Sequence, residues 1–304
     1  MLTEWTFIPE QDGGTTRNIA CWKVSNQSEE YCIDISWPLT WSTLDHAVTA
    51  NVIYLVDGNA LFLTATETLR RRQSFRPKEP ATVVVGIGYP LTDSVFSSRR
   101  SRDLTPPCTH YTPPDGPDGQ PRPEPYGGAD QFLTFITDVV RPFIESRLFP
   151  HASFVRRALF GHSYGGLFVL HTLFTRPASF DVYLAASPSI WWNNRVILSE
   201  ASKFCTDTSM VPPLFLRLSL GSREQFPVRQ KGESMEGFQR RVAAATRRRM
   251  TENCSELASQ LTQSNRLHAV EQREYLHEDH GSVIAPALSG GIFYFLDIGG
   301  EFNR

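Results

Sequence analysis

The segment Gly161-His162-Ser163-Tyr164-Gly165 constrains this chain more than any other. The short run Arg157 to Phe160 leads into it, and the apolar run Tyr164 to Thr175 leads out. The first reads as a buried strand and the second as a buried helix. A strand that becomes a helix within so few residues leaves no room for side chains beside the turn. Gly161 and Gly165 on either side of Ser163, with Gly166 next, meet that demand. Such a turn lifts the serine hydroxyl above the sheet edge. It also aims the positive end and first N–H groups of the helix at the same spot. Ser163 is therefore a candidate nucleophile. The competing reading is a glycine-rich turn with an incidental serine.

The same grammar recurs along the chain. Asn51 to Val56 (NVIYLV) ends in Asp57-Gly58, and a helix is expected from about Ala60 to Arg72. Thr82 to Val85 ends in Gly86-Ile87-Gly88, and Ala129 to Leu148 has the period of a long amphipathic helix. Asp181 to Ala186, Leu214 to Leu220 and Ala269 to Leu276 read as further strands. Glu233 to Ser264 and Ser282 to Leu296 read as helices. Short continuous apolar runs suit strands buried on both faces of a parallel sheet. Earlier, Asn18 to Val24 and Tyr31 to Trp37 alternate like antiparallel strands with one wet face. The pattern predicts an α/β class: a mostly parallel central sheet, an antiparallel N-terminal portion and helices on both faces, as one domain over residues 1–304. Residues 104–126 (LTPPCTHYTPPDGPDGQPRPEPY) have no apolar period and cannot be a core element. A loop this long is a flap over the site or a floppy insertion.

Charge and cysteine content narrow the partners. Thirty basic and 32 acidic residues leave a net charge of −2, without the basic excess that phosphate backbones require. No nucleic-acid partner is expected, and Arg247-Arg248-Arg249 reads as a solvated helix face. The N-terminus MLTEWTFIPEQDGG has neither the basic nor the apolar region of a secretory signal, and no apolar stretch is long enough to span a bilayer. The five cysteines are odd in number and form no CxxC, so neither a disulfide scaffold nor a zinc site is expected. Reduced thiols in a cytoplasmic protein, with no metal and no cofactor, are the simplest account.

A strand–turn–helix G-x-S-x-G belongs to the α/β-hydrolase fold, in which the acid and then the histidine follow the serine along the chain. The histidine is sought after the last strand. His268 precedes that strand, and His277 could still belong to it. His280, in Glu278-Asp279-His280-Gly281-Ser282, has a glycine beside it for a sharp turn and is the preferred general base. The acid is sought after Leu214–Leu220, where Glu224 stands; a surface glutamate paired with Arg223 is the competing reading. Asp279 and Glu278 are alternatives, as is a Ser–His dyad without an acid. For the oxyanion, the Tyr164 N–H is one donor, and the Asn59 N–H, after the strand ending at Val56, is the natural second.

Several longer segments identify a group. YLVDGNALF (54–62), VVVGIGYP (83–90), RRSRDLTPP (99–107), GGADQFLTF (127–135), LFGHSYGGLFVLH (159–171), SPSIWW (187–192), LGSREQ (220–225) and EDHGSV (278–283) resemble the siderophore-esterase branch of the esterase D-like α/β hydrolases. These enzymes cleave enterobactin, bacillibactin and fusarinine-type esters. The resemblance covers nearly all the chain from about residue 50 and implies a serine esterase, a carboxylic ester hydrolase. Its implied substrate is a small-molecule oligoester, carried as an iron chelate. It implies a site lined by Arg100, Arg102, Trp191 and Trp192, against which stands core packing for the tryptophans and surface ion pairs for the arginines. The absence of an export signal favours a hydroxamate ester hydrolysed after uptake over a tricatecholate. A thioesterase or acyltransferase of a secondary-metabolite pathway would carry the same serine turn, and a non-catalytic binding protein on this fold is a further alternative.

Overall fold

Each continuous apolar run is a strand, with ends shifted by a few residues. In the computed structural model, residues 5–10, 17–44, 47–116, 119–210 and 212–298 are described. The contacts divide the chain into two compact units: residues 1–100, 131–160 and 288–304, and residues 101–130 and 161–287.

The first unit holds β1 (Thr6–Glu10), β2 (Ile19–Ser25), β3 (Glu30–Ser36), β4 (Thr49–Val56), β5 (Ala81–Gly88) and most of β6 (Ser153–His162), in the order β1-β2-β3-β5-β4-β6. β1, β2, β3 and β5 pair antiparallel in succession. β4 pairs parallel with both β5 and β6. β1 is a strand that the sequence pattern did not announce, and its Pro9 is tolerated because β1 lies at an edge. Helix α1 (Gly58–Phe75) follows β4. A β-carbon on Gly58 would lie 2.6 Å from the Gly86 carbonyl carbon, so only glycine lets α1 approach β5 this closely. The long helix expected over 129–148 is α-helical only as α2 (Ala129–Phe135) and continues in wider π turns over Ile136–Val140 and Phe143–Leu148. Pro142 lies between them without an N–H to donate, which disrupts a regular α ladder.

The second unit begins as β6 ends. It contains α3 (Tyr164–Thr175), β7 (Val182–Ala186), α4 (Ile197–Thr206), β8 (Phe215–Gly221), α5 (Met235–Arg248), α6 (Met250–Gln263), β9 (Ala269–Tyr275) and the start of α7 (Ile284–Asp297). β7, β8 and β9 run parallel. In α3 every residue from Tyr164 to Phe174 is buried, the signature of a helix enclosed on all sides. The single helix expected over 233–264 is two helices, because Arg249 is left-handed at φ 47° and ψ 46°. That conformation costs a residue with a β-carbon about 1–2 kcal/mol. The Arg249 guanidinium bonds Glu252 at 2.6 Å and Glu256 at 3.3 Å across the break.

Several described residues of the Pro-rich segment make defined contacts. Tyr111 stacks on Tyr126 with ring centres 3.9 Å apart. The Thr112 N–H donates to Asn193 Oδ1 at 2.8 Å, and Asn193 Nδ2 donates to the His110 carbonyl at 2.9 Å. Asn193 and Asn194 are both left-handed, at φ 45° and 54°.

Candidate active site

The turn at Ser163 is as tight as its glycines require. Ser163 has φ 62° and ψ −116°, a backbone conformation that a non-glycine residue occupies only at a strain of order 1–3 kcal/mol. Hydrogen bonds on both sides hold it there. The Ser163 N–H donates to the Ala186 carbonyl at 3.0 Å, and the Ser163 carbonyl accepts from Leu167 at 3.0 Å and from Ser189 at 3.1 Å. A β-carbon on Gly161 would sit 2.3 Å from the Gly165 carbonyl oxygen, and one on Gly166 would sit 2.7 Å from that of Ala186. Tyr164 opens α3, so its N–H is among those for which the helix supplies no carbonyl.

His280 Nε2 lies 3.0 Å from Ser163 Oγ. Its Nδ1 lies 2.6 Å from Glu224 Oε2. The His280 side chain is 42% exposed and that of Glu224 is 1% exposed. Glu224 is held from its other side: Oε1 accepts from Ser187 Oγ at 2.6 Å and from the Gly221 N–H at 2.7 Å. Three donors thus converge on this buried carboxylate. The loop carrying His280 is pressed onto the end of β8. A β-carbon on Gly221 would come within 2.3 Å of the Glu278 carbonyl oxygen, and the Arg223 N–H donates to that oxygen at 2.9 Å.

The rival residues have other work. Asp279 Oδ1 accepts from the Gly281 and Ser282 N–H groups, both at 2.9 Å. The Ser282 bond leads in holding its carboxyl below the usual range. His277 is left-handed at φ 69° and points its Nδ1 at Arg223, 3.4 Å away. His268 packs on Phe215 with ring centres 4.8 Å apart, at the start of β9.

The remaining expected residues fall in different settings. Asn59, in the first unit, clamps the backbone of Tyr89: Oδ1 accepts its N–H at 2.8 Å and Nδ2 donates to its carbonyl at 2.9 Å. Arg100 forms a two-pronged bond to the buried Asp57, at 2.9 and 2.8 Å. Arg102 is 43% exposed and lies 3.8 Å from Asp103. Trp191 stands beside Tyr164, ring centres 6.3 Å apart, and forms part of a cavity of about 220 Å³ that also reaches Glu224 and His280. Trp192 is 1% exposed and faces Tyr111 of the Pro-rich segment. It is a packing residue beneath that segment, with no open face.

Sequence reasoning passed over Ser187, Ser189 and His162. Ser187, left-handed at φ 43°, donates to Glu224. Ser189 Oγ is 3.4 Å from Ser163 Oγ. The His162 ring lies 4.6 Å from that of His280. The two serines stand in the SPSIWW segment, whose resemblance to the siderophore-esterase branch was the available signal. Among the described residues no group of three or more His, Cys, Asp or Glu side chains is placed to hold a metal, and no helix is long and apolar enough to cross a membrane.

Comparison with known proteins identifies the family. The family described as "Putative esterase" matches residues 28–217. The chain is 62% identical over 302 residues to the siderophore enterobactin esterase of Emericella nidulans, covering 98% of this chain and 99% of that one. It is 44% identical over 278 residues to the siderophore triacetylfusarinine C esterase of Aspergillus fumigatus, covering 90% and 91% of the two chains. Among solved structures, siderophore hydrolase EstA from Aspergillus nidulans superposes with a TM-score of 0.91 at 62% identity, covering 97% of this chain and 99% of that one. The chain therefore belongs to this esterase family, in its siderophore-esterase branch, and has the α/β-hydrolase fold.

Proposed function

We propose that this chain is a serine esterase that hydrolyses the ester bonds of an iron-chelating siderophore through an acyl-enzyme on Ser163. The observation that carries this reading is the unbroken chain of hydrogen bonds from Ser163 Oγ through His280 to Glu224. As the serine oxygen attacks the ester carbonyl, its proton passes to His280 Nε2. Glu224 keeps the Nδ1–H tautomer in place and stabilises the imidazolium. The Tyr164 N–H holds the oxygen that becomes negative; the Asn59 N–H is assigned as second donor from sequence order. His280 then gives its proton to the departing alkoxide. In the second half, His280 takes a proton from water as the water attacks the acyl group, and returns it to Ser163 as the free acid leaves. No cofactor enters, and iron arrives and leaves with the substrate.

The relatives' named activities, enterobactin and triacetylfusarinine C ester cleavage, support a siderophore as substrate. All five cysteines are free thiols, in keeping with a reducing, cytoplasmic setting. The test is mass spectrometry of purified enzyme with ferric and iron-free ester siderophores beside simple aryl esters, with and without an added alcohol. The expected products are free acids from the siderophores. Turnover of aryl esters alone, or transfer of the acyl group to the alcohol, would contradict the reading.

A further inference from the structure

The cavity beside His280 and Glu224 is walled on its other side by Trp191, Arg241 and Arg248. A second cavity of about 210 Å³ shares Trp191, Ala244 and Arg248 with it and is otherwise bounded by Thr112–Asp115 of the Pro-rich segment, Asn193, Asn194 and Arg247. Trp191 and Arg248 thus form a wall common to both.

The charges in these cavities are unequally matched. Arg241 donates to Glu233 from Nε and Nη2, both at 2.8 Å. Arg247 meets Asp115 at 3.1 Å, and Arg223 lies 3.4 Å from His277 Nδ1. The carboxylates are matched too: Glu224 by His280, Ser187 and Gly221, and Asp279 by its own turn. Among the described residues, Arg248 makes no hydrogen bond or ion pair to a carboxylate. Its guanidinium carbon lies 4.7 Å from the centre of the Trp191 ring. A guanidinium over an indole face is held by cation–π attraction while its N–H donors stay available. The residue is exposed, yet the atoms packed around it, more than any neighbouring charge, push its pKa below the ordinary arginine value. A crowded cation with unused donors gains by meeting an anion. The left-handed break at Arg249 ends α5 and leaves Arg248 in its last residue, against the cavities.

We propose that Arg248, laid on Trp191, is a specificity-determining residue. It binds an ionised oxygen on the acyl part of the substrate, a carboxylate or a deprotonated chelating oxygen, and so selects anionic esters over neutral ones, the reverse of the hydroxamate preference expected from the sequence. This rests on ester hydrolysis at Ser163. The test compares kcat/KM of wild type, Arg248→Gln and Arg248→Lys on two matched pairs. One pair is 4-nitrophenyl hemisuccinate against 4-nitrophenyl butyrate. The other is a ferric tricatecholate triester, which is anionic, against a neutral ferric tris-hydroxamate triester. In Arg248→Gln the anionic-to-neutral ratio should fall about tenfold or more, through KM of the anionic member, as expected for loss of a charged hydrogen bond. Arg248→Lys should keep part of the preference, and the wild-type ratio should decline as salt rises. An unchanged ratio in Arg248→Gln, or equal losses on both members of a pair, would overturn the proposal. If Arg248→Gln does not fold, a salt-independent wild-type ratio overturns it instead. If wild type cleaves the aryl esters but neither triester, the siderophore reading fails, and the aryl pair still decides the role of Arg248.

Discussion

His280 and His171 lie in the same unit, and each imidazole spans two oxygen atoms, yet they are built for different ends. His280 stands half-exposed between a hydroxyl and a carboxylate, Ser163 at 3.0 Å and Glu224 at 2.6 Å. His171, on α3, is 2% exposed and stands between two carboxylates, Glu200 at 2.8 Å and Asp130 at 3.1 Å. Burial alone would strip the proton from His171. The bonds to Asp130 and Glu200 prevail and raise its pKa to about 9, and the same contact holds the Asp130 carboxyl below its usual range. A proton on His171 is a fixed structural charge that ties Asp130 and Glu200 to the helix following the serine. A proton on His280 has a hydroxyl to come from and a leaving group to go to. The second oxygen partner, more than the number of hydrogen bonds, separates the two roles.

The comparison is broken most severely at the serine. Ser163→Ala or His280→Ala should lower kcat for ester hydrolysis by about 10⁴ to 10⁶-fold, read by steady-state assay, with circular dichroism unchanged. Residual turnover within tenfold of wild type would put the nucleophile elsewhere. Glu224→Gln should cost about 10³ to 10⁴-fold in kcat. The Gln oxygen would still accept from Ser187 and Gly221, but its amide N–H would face His280 Nδ1 and favour the wrong tautomer.

His171 tests the other half of the comparison. His171→Gln should leave kcat within a few-fold of wild type but lower stability near neutral pH by on the order of 3 kcal/mol, the equivalent of raising a histidine from 6.5 to about 9. The sign follows from the direction of the shift. The native state binds the proton more tightly than the unfolded chain, so the contribution is complete below about pH 6.5 and disappears as pH rises through 9. Urea melts of wild type from pH 6 to 10 should show this decline, and His171→Gln should not. A decline that persists in the variant would assign it to other groups.

The smallest effect sharpens the identity of the acid. Asp279→Asn removes a carboxylate that organises its own turn and should cost about 1 kcal/mol of stability, with kcat affected far less than in Glu224→Gln. A larger loss of kcat in Asp279→Asn than in Glu224→Gln would make Asp279 the orienting carboxylate.

Ser163, His280 and Glu224 could be singled out in the sequence because the fold places its reacting groups after strands, and apolar runs announce strands. The structure brings those three side chains into hydrogen-bond contact. What stayed hidden depends on neighbours far along the chain. Ser187 supports Glu224 across 37 residues, and nothing local marks it as a donor. The π turns around Pro142 and the left-handed Arg249 interrupt runs whose period reads as uninterrupted helix. Arg248 is exposed, as its sequence setting suggests, but nothing local shows that it also lies over an indole beside the site. Trp191 and Trp192 are adjacent and chemically identical, and only packing separates the one that reaches the cavity from the one beneath the Pro-rich segment.

The proton path from Ser163 to His280 is tested most directly by trapping its covalent product. Wild-type enzyme mixed briefly with a 4-nitrophenyl ester, quenched in acid and digested, should yield an acyl group on the peptide that contains Ser163. The same peptide should stay unmodified in Ser163→Ala and His280→Ala. An acyl group on any other residue, or equal acylation of Ser163 in wild type and His280→Ala, would contradict the account.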